Sequence, residues 1–149
     1  MKTKLRVLLA LCAIWFGFWV SPAQAEDRID VPHKVVYQCN KGELSDYKSL
    51  LYSVSQMKEK YGDGIDIIVV CHGPGIHLLS KKPRRMVHAE ALDQMGYLDT
   101  FGVQFHACGN TMNALGWHEE DMHDFVEVVQ IGAEDLMLLQ EQGYTYLSW

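Results

Sequence analysis

The chain has 149 residues, of which 48% are hydrophobic and 21% are charged, a composition typical of a single globular domain. Its formal net charge is −6 at pH 7. An acidic surface repels nucleic acid backbones and anionic lipids, so we expect no nucleic acid among its partners. The basic cluster at residues 81–85 is predicted to be a solvated loop.

The first 25 residues carry the pattern of a secretory signal peptide. A positive region at residues 2–6 precedes an apolar stretch at residues 7–20 and the small-residue cleavage site Ala23-Gln24-Ala25. The apolar stretch is shorter than the roughly 20 residues that a membrane helix needs. We therefore predict cleavage after this site. The mature chain, residues 26–149, is predicted to be periplasmic or secreted, with no membrane association after processing.

The mature chain has 124 residues and keeps three cysteines, Cys39, Cys71 and Cys108. It has ten Lys and Arg against nineteen Asp and Glu, a net charge of −9. Three thiols in an oxidising compartment permit at most one intramolecular disulfide and leave one thiol over. The pattern leaves open a Cys39–Cys71 disulfide, a Cys71–Cys108 disulfide, or no disulfide with Cys39 and Cys71 as buried small hydrophobes.

Short apolar runs alternate with segments of helical periodicity along the mature chain. The strands are predicted at 33–39, 65–71, 103–107, 125–129 and 144–147, and the helices at 44–61, 87–98, 111–115 and 131–142, with a short helical turn at 76–79. The continuous run Ile67-Ile68-Val69-Val70 is typical of a strand buried on both faces, as in a parallel sheet. The order of elements predicts one domain, a three-layer α/β/α sandwich with about five mostly parallel strands.

Cys108 stands where the third predicted strand gives way to a helix, within Phe105-His106-Ala107-Cys108-Gly109-Asn110-Thr111-Met112. A thiol at a helix start faces unpaired N–H groups and the positive end of the helix dipole. Such surroundings favour the thiolate, which is the nucleophilic form of cysteine. Gly109 permits a close turn, and Asn110 or Thr111 can cap the helix. The alternative interpretation is an inert cysteine at a strand end.

The turn His72-Gly73-Pro74-Gly75 follows the second predicted strand. Because parallel strands place their carboxyl ends at one edge of the sheet, we expect this turn beside Cys108. Its glycines can form a backbone pocket for an anion, and His72 as an imidazolium can hydrogen-bond a thiolate or persulfide. The turn lacks the signatures of nucleotide-binding loops. The alternative interpretation is a simple connection between strand and helix.

Metal-binding side chains are present without a metal-binding spacing. Cys71, His72, His77 and Cys108 are soft donors at or near predicted strand ends. Their spacing matches no known zinc signature. His106 lies within a strand and is interpreted as a core residue whose ring nitrogens are satisfied. We predict no metal site and no cofactor.

Three stretches of the mature chain resemble the DsrE/DsrF-like family, which has the YchN-like fold. They are Ile67-Ile68-Val69-Val70-Cys71-His72-Gly73-Pro74-Gly75, residues 102–112 around Cys108, and residues 132–144, the last of which resembles secreted members. The resemblance covers about residues 34–149. Family members with demonstrated roles carry sulfur as a persulfide on a cysteine after the third strand, and they form trimers and hexamers. The resemblance therefore implies a sulfur-carrying role for Cys108, a homo-oligomer (trimer or hexamer), and sulfur donor and acceptor proteins as partners.

Together these observations predict a periplasmic or secreted persulfide carrier or sulfurtransferase that uses the thiolate of Cys108. The residues predicted to bind around it are His72, Gly73, Gly75, Gly109, Asn110 and Thr111. One alternative is a noncatalytic oligomeric protein that binds a small ligand or a metal at the strand-end edge. Another is a structural family member whose thiol is buried and unused.

Overall fold

Five parallel strands form a single sheet in the computed structural model, which describes residues 33–149. They are β1 (His33–Cys39), β2 (Ile65–Cys71), β3 (Gln104–Cys108), β4 (Val126–Val129) and β5 (Thr145–Ser148). Their order across the sheet is β4-β3-β2-β1-β5, and every neighbouring pair is parallel. The predicted signal peptide and the segment 26–32 lie outside the described residues.

Four α-helices connect these strands within the same part of the chain. They are α1 (Leu44–Tyr61), α2 (Ala89–Thr100), α3 (Gly109–Leu115) and α4 (Gly132–Glu141). Short 3₁₀ segments occupy Gly62–Gly64, Gly73–Leu79 and Glu119–Asp121. Over residues 33–149, no helix is both long enough and apolar enough to span a membrane.

The helices cover both faces of the sheet, which confirms the predicted α/β/α architecture. On one face, Ile67 and Val69 of β2 belong to a large core with buried residues of α1 and α2. On the other face, Ile68 and Val70 pack with Leu136 of α4 in a smaller core. Successive side chains of a strand point to opposite faces, so the continuous apolar run of β2 supplies both cores at once.

Helix α1 illustrates how the sequence pattern becomes packing. Tyr47, Leu51 and Val54 recur at spacings of three and four residues, and all are buried against the sheet. Burial of each such side chain contributes about 1.5–3 kcal/mol to stability. At the helix start, the Asp46 carboxylate accepts the backbone N–H of Glu43 at 3.3 Å.

The predicted boundaries of β3, β4, β5 and α4 are wrong by one residue, and larger differences occur at the second helix, the third helix and the short helical turn. The third helix was predicted at residues 111–115, but α3 begins at Gly109, directly after the last residue of β3. Glycine and asparagine have low helix propensity, which disfavours Gly109 and Asn110 in a helix interior but not in a first turn. The second helix begins at Ala89 instead of residue 87, and the short helical turn at 76–79 is part of the longer 3₁₀ segment Gly73–Leu79.

Candidate functional site

Cys108 lies between the starts of two helices. It is the last residue of β3 and the residue that immediately precedes α3. Its Sγ accepts the backbone N–H of Gly132, the first residue of α4, at 3.2 Å. The side chain is only 5% exposed in the described part of the chain. The thiol therefore lies in a buried position near backbone donors at the carboxyl edge of the sheet.

The donors around Cys108 favour its thiolate. Burial alone raises the pKa of a thiol, but the Thr111 hydroxyl and the backbone N–H groups of Gly132, Thr111 and Asn110 lower the pKa of Cys108 by more. The net direction is a pKa below the ordinary value of the thiol. The thiolate is the form that attacks sulfur or carbon electrophiles, so Cys108 is the candidate nucleophile of this site.

Thr111 links the predicted turn to the thiol. The backbone N–H of Gly73 donates to Thr111 Oγ1 at 3.1 Å. Because the hydroxyl oxygen accepts this bond, its own proton is free to donate to Cys108, and that bond lowers the pKa of the thiol. Three predicted site residues are thus connected: Gly73 donates to Thr111, and Thr111 donates to Cys108.

Gly132 is a site residue that the sequence analysis missed. A Cβ at this position would lie 3.0 Å from the Cβ of Cys108, 3.5 Å from its Sγ and 3.5 Å from the Cβ of His72. Only glycine lets the start of α4 approach the thiol this closely. The available sequence signal was a glycine at the start of a predicted helix, three residues after the end of a predicted strand.

Gly109 and Asn110 place α3 against the end of the neighbouring strand. A Cβ at position 109 would lie 3.2 Å from the carbonyl oxygen of Val129. The N–H of Asn110 donates to the carbonyl oxygen of Gln130 at 3.1 Å and also lowers the pKa of Cys108. These two residues therefore act on the thiol through backbone position.

His72 borders the site as a neutral imidazole. Burial lowers its pKa, so the imidazolium considered from the sequence is not favoured at neutral pH. Its Nε2 lies 2.7 Å from the amide nitrogen of Gln38, and the oxygen of that amide accepts the hydroxyl of Tyr146. With the Gln38 amide in this orientation, its nitrogen donates to His72 Nε2. The ring proton of His72 is therefore on Nδ1. No sequence pattern indicated that Gln38 and Tyr146 would lie near the site.

Gly75 lies away from the thiol. A Cβ at this position would be 2.1 Å from the carbonyl oxygen of Cys39, so the glycine allows the turn to pack directly on the end of β1. Its N–H donates to the carbonyl oxygen of His72 at 3.1 Å. Gly75 thus contacts β1 and His72. Gly73, in contrast, is connected to Cys108 by its hydrogen bond to Thr111.

His106 lies two residues before Cys108, on the same face of β3. It is 5% exposed, and its Nδ1 is 2.8 Å from the Asp135 carboxylate on α4. The sequence interpretation as a satisfied core residue is half right. Nδ1 has its partner, whereas Nε2 is buried without a hydrogen bond, 3.6 Å from Glu127.

The candidate metal donors do not converge. Cys71 lies in the core on the α1 face, and the Nδ1 of His77 accepts the backbone N–H of Arg84 at 3.1 Å. Within residues 33–149, no three His, Cys, Asp or Glu side chains come together in a group that could hold a metal ion.

The described residues thus define an α/β protein with a parallel sheet and a candidate nucleophilic cysteine at the carboxyl edge of that sheet. The model of the DsrE/DsrF-like family matches residues 33–149, which is the whole described chain. The protein therefore belongs to the DsrE/DsrF-like family. A comparison with functionally curated proteins finds no match.

Solved structures with the same fold come from bacteria and an archaeon. The protein of unknown function MTH1491 from Methanobacterium thermoautotrophicum has 24% identity and a TM-score of 0.70, covering 78% of this chain and 99% of its own. The ychN protein from E. coli has 14% identity and a TM-score of 0.65, with coverages of 78% and 99%. The protein of unknown function BT1422 from Bacteroides thetaiotaomicron has 13% identity and a TM-score of 0.60, with coverages of 78% and 94%. At these identities the likeness establishes the fold alone, and it confirms the predicted DsrE/YchN-like type.

Proposed function

We propose that this protein is a persulfide carrier that holds sulfane sulfur on Cys108. The observation that carries the proposal is the position of the thiol between the starts of α3 and α4, where Thr111 and the N–H of Gly132 lower its pKa. Membership of a family associated with sulfur relay supports the same chemistry.

The transfer needs two displacement steps. The Cys108 thiolate attacks the outer sulfur of a persulfide or polysulfide donor, whose S–S bond breaks and whose inner sulfur leaves as a thiolate. Cys108 then carries one additional sulfur, whose terminal negative charge can be stabilised by the same donors that stabilise the thiolate. An acceptor thiolate attacks this outer sulfur, and Cys108 leaves again as a thiolate.

The proposal includes export and assembly. The leader pattern at residues 1–25 supports a periplasmic or secreted carrier, and family membership supports a homo-oligomer, a trimer or hexamer. Protein recovered from its native host should begin at or near Glu26, and light scattering should give a mass above that of one chain. An intact Met1 start contradicts export, and a monomer at micromolar concentration contradicts assembly.

Sulfur loading tests the carrier directly. Reduced protein is incubated with an inorganic polysulfide, and its intact mass is compared before and after treatment with a thiol reductant. We expect a gain of one sulfur atom that the reductant removes. The Cys108→Ser variant, which keeps a side chain of similar size, should gain none while remaining folded by circular dichroism. A gain that persists in this variant, or no gain in the wild type, contradicts the proposal.

A second candidate function, noncatalytic binding of a small ligand, is favoured by one cavity of about 320 Å³ between the starts of α1 and α2. It is lined by Leu44, Tyr47, Leu51, His88, Ala91 and Gln94, among others. Native mass spectrometry of purified protein tests this function by seeking a co-purified molecule. Filling the cavity through Ala91→Phe should remove that molecule, whereas Cys108→Ser should retain it.

A further inference from the structure

The two other cysteines of the described chain stand side by side. Cys39 ends β1, Cys71 ends β2, and the two are register partners in the parallel ladder. Neighbouring strands lie about 4.8 Å apart, which falls within the Cα separation of about 4.4–6.8 Å that a disulfide requires. Both side chains belong to the core on the α1 face of the sheet, with exposures of 3% and 0%.

The surroundings of this pair bring its sulfur atoms together and cover them. Burial, followed by a hydrogen bond with the Cys39 thiol, raises the pKa of Cys71 well above its ordinary value. Cys39 Sγ in turn lies 3.8 Å from the carbonyl oxygen of Gly75, as a donor. Because Gly75 packs directly on the end of β1, the turn that begins at Gly73 covers the pair.

Cys108 cannot join either of these thiols without rearrangement of the sheet. Cys71 is the register partner of Ala107, so the side chain of the next residue, Cys108, points to the opposite face. Its Sγ is held there by Gly132 of α4. The register thus excludes the Cys71–Cys108 pairing that the sequence left open and retains Cys39–Cys71.

We propose that Cys39 and Cys71 form a disulfide that joins the carboxyl ends of β1 and β2 and leaves Cys108 as the free thiol of the described chain. In the oxidising compartment that the proposed export implies, this pairing would leave Cys108 unconsumed. The inference rests on that part of the proposed function and not on sulfur transfer, because the disulfide lies on the other face of the sheet.

The oxidation proceeds by thiol–disulfide exchange with a low-molecular-weight or protein disulfide as the oxidant. One cysteine, as thiolate, attacks a sulfur of the donor disulfide, forms a mixed disulfide and releases one donor thiol. The other cysteine attacks the protein sulfur of the mixed disulfide and releases the second donor thiol. The protein loses two protons and two electrons, and the donor disulfide takes them up to become two thiols. Because the pair is covered in the folded protein, the exchange should be faster during refolding than in the native state.

Trypsin separates the three cysteines, which allows a direct test. Cleavage at Lys and Arg leaves Cys39 on residues 35–41, Cys71 on residues 61–81 and Cys108 on residues 86–149, a segment without Lys or Arg. The full chain is reduced, unfolded, refolded in mixtures of reduced and oxidised glutathione, quenched in acid, labelled with N-ethylmaleimide in denaturant, and digested. Cys12, if retained, falls on a separate peptide.

We expect residues 35–41 and 61–81 to be linked with the loss of two hydrogens, while the Cys108 peptide carries maleimide or glutathione. Cys108→Ser should give the same linked peptide at the same glutathione ratio. Cys39→Ser should abolish it without creating a Cys71–Cys108 link. A link that involves Cys108, or full maleimide labelling of Cys39 and Cys71 in the most oxidising mixture, would overturn the proposal. No sulfane-sulfur donor is present in this experiment, so its outcome does not depend on whether Cys108 can be loaded with sulfur.

Discussion

At the scale of single residues, the site depends on donors directed at one sulfur atom. Burial of Cys108 disfavours its charged form, yet four donor groups reverse the balance. Two of these donors come from Thr111, whose hydroxyl is oriented by the N–H of Gly73. The reactivity of the cysteine is therefore a property of the packing around it, and single substitutions can alter it without removal of the thiol.

Replacement of Thr111 by valine should make Cys108 less reactive at neutral pH. Valine keeps the shape of threonine but cannot donate to sulfur, so the pKa of the thiol should rise. A hydrogen bond to a charged group contributes about 1.5 kcal/mol, which corresponds to roughly tenfold slower alkylation at pH 7. The rate of iodoacetamide labelling of residues 86–149, followed by mass spectrometry over a pH series, measures the change. Thr111→Ser should react like the wild type, and an unchanged rate in the valine variant would contradict the assigned donor.

Replacement of Gly132 by alanine should affect both reactivity and stability. The added Cβ would lie 3.0 Å from the Cβ of Cys108, so α4 must shift and its N–H moves away from sulfur. Overpacking of this kind costs about 1–3 kcal/mol, measured by urea unfolding, and slower alkylation should accompany it.

Gly96→Ala is the matched control for this substitution. Gly96 lies in the interior of α2, and a Cβ there meets no atom within 4 Å. This change should stabilise the protein by about 0.5–1 kcal/mol and leave alkylation of Cys108 unchanged. If both alanine substitutions changed stability and alkylation equally, the close approach of position 132 to Cys108 would not be the cause of those changes.

At the scale of elements, α4 is held on β3 at two levels. Gly132 contacts Cys108 at the start of the helix, and Asp135, one turn later, contacts the buried His106. The charge-assisted bond between Asp135 and His106 is therefore placed to fix how far the helix start lies from the thiol.

Replacement of Asp135 by asparagine should loosen this attachment. Loss of the charged partner of a buried ring nitrogen is expected to cost about 1–3 kcal/mol of unfolding free energy. Urea unfolding measures the loss, and alkylation of Cys108 should slow as the helix start relaxes. Glu134→Gln, an exposed change of the same kind in the same turn, should leave both measurements within error. If the two variants give the same unfolding free energy and alkylation rate, the contact between Asp135 and His106 does not anchor α4.

At the scale of the whole molecule, three histidines make stability depend on pH. Burial is the largest cause that lowers the pKa of His72, His77 and His123 in the folded protein. The unfolded chain therefore binds protons more readily than the folded chain, so stability is lost as the pH falls below the ordinary histidine pKa of about 6.5.

The urea midpoint should therefore decrease between about pH 7.5 and about pH 5.5. His77→Gln should flatten part of this dependence, since His77 is buried and its Nδ1 accepts the N–H of Arg84. His88→Gln, at an exposed position, should leave the slope unchanged. A midpoint that is constant or rises on acidification would contradict the assigned shifts.

Local sequence determined the elements and the placement of the candidate nucleophile at a strand–helix junction. The periodicity of residues 44–61 and the apolar run of β2 specify helix and strand through burial alone, and both were predicted at their observed bounds. Cys108 could be singled out because a strand end and a helix start are both readable from its immediate neighbours. Such features depend on residues within one or two turns of the chain.

Tertiary structure decided what surrounds the thiol. Gly132 is 24 residues from Cys108 in the chain and reaches it only because β4 pairs with β3 and returns α4 across the same edge. Burial, which no local pattern reports, lowers the pKa of His72 and so disfavours the charged ring considered from the sequence. The position of Cys39 beside Cys71, on the face opposite Cys108, follows from strand order and register. If one strand shifted by one residue, each of its side chains would point to the opposite face of the sheet. The packing of both cores against the helices selects the register observed.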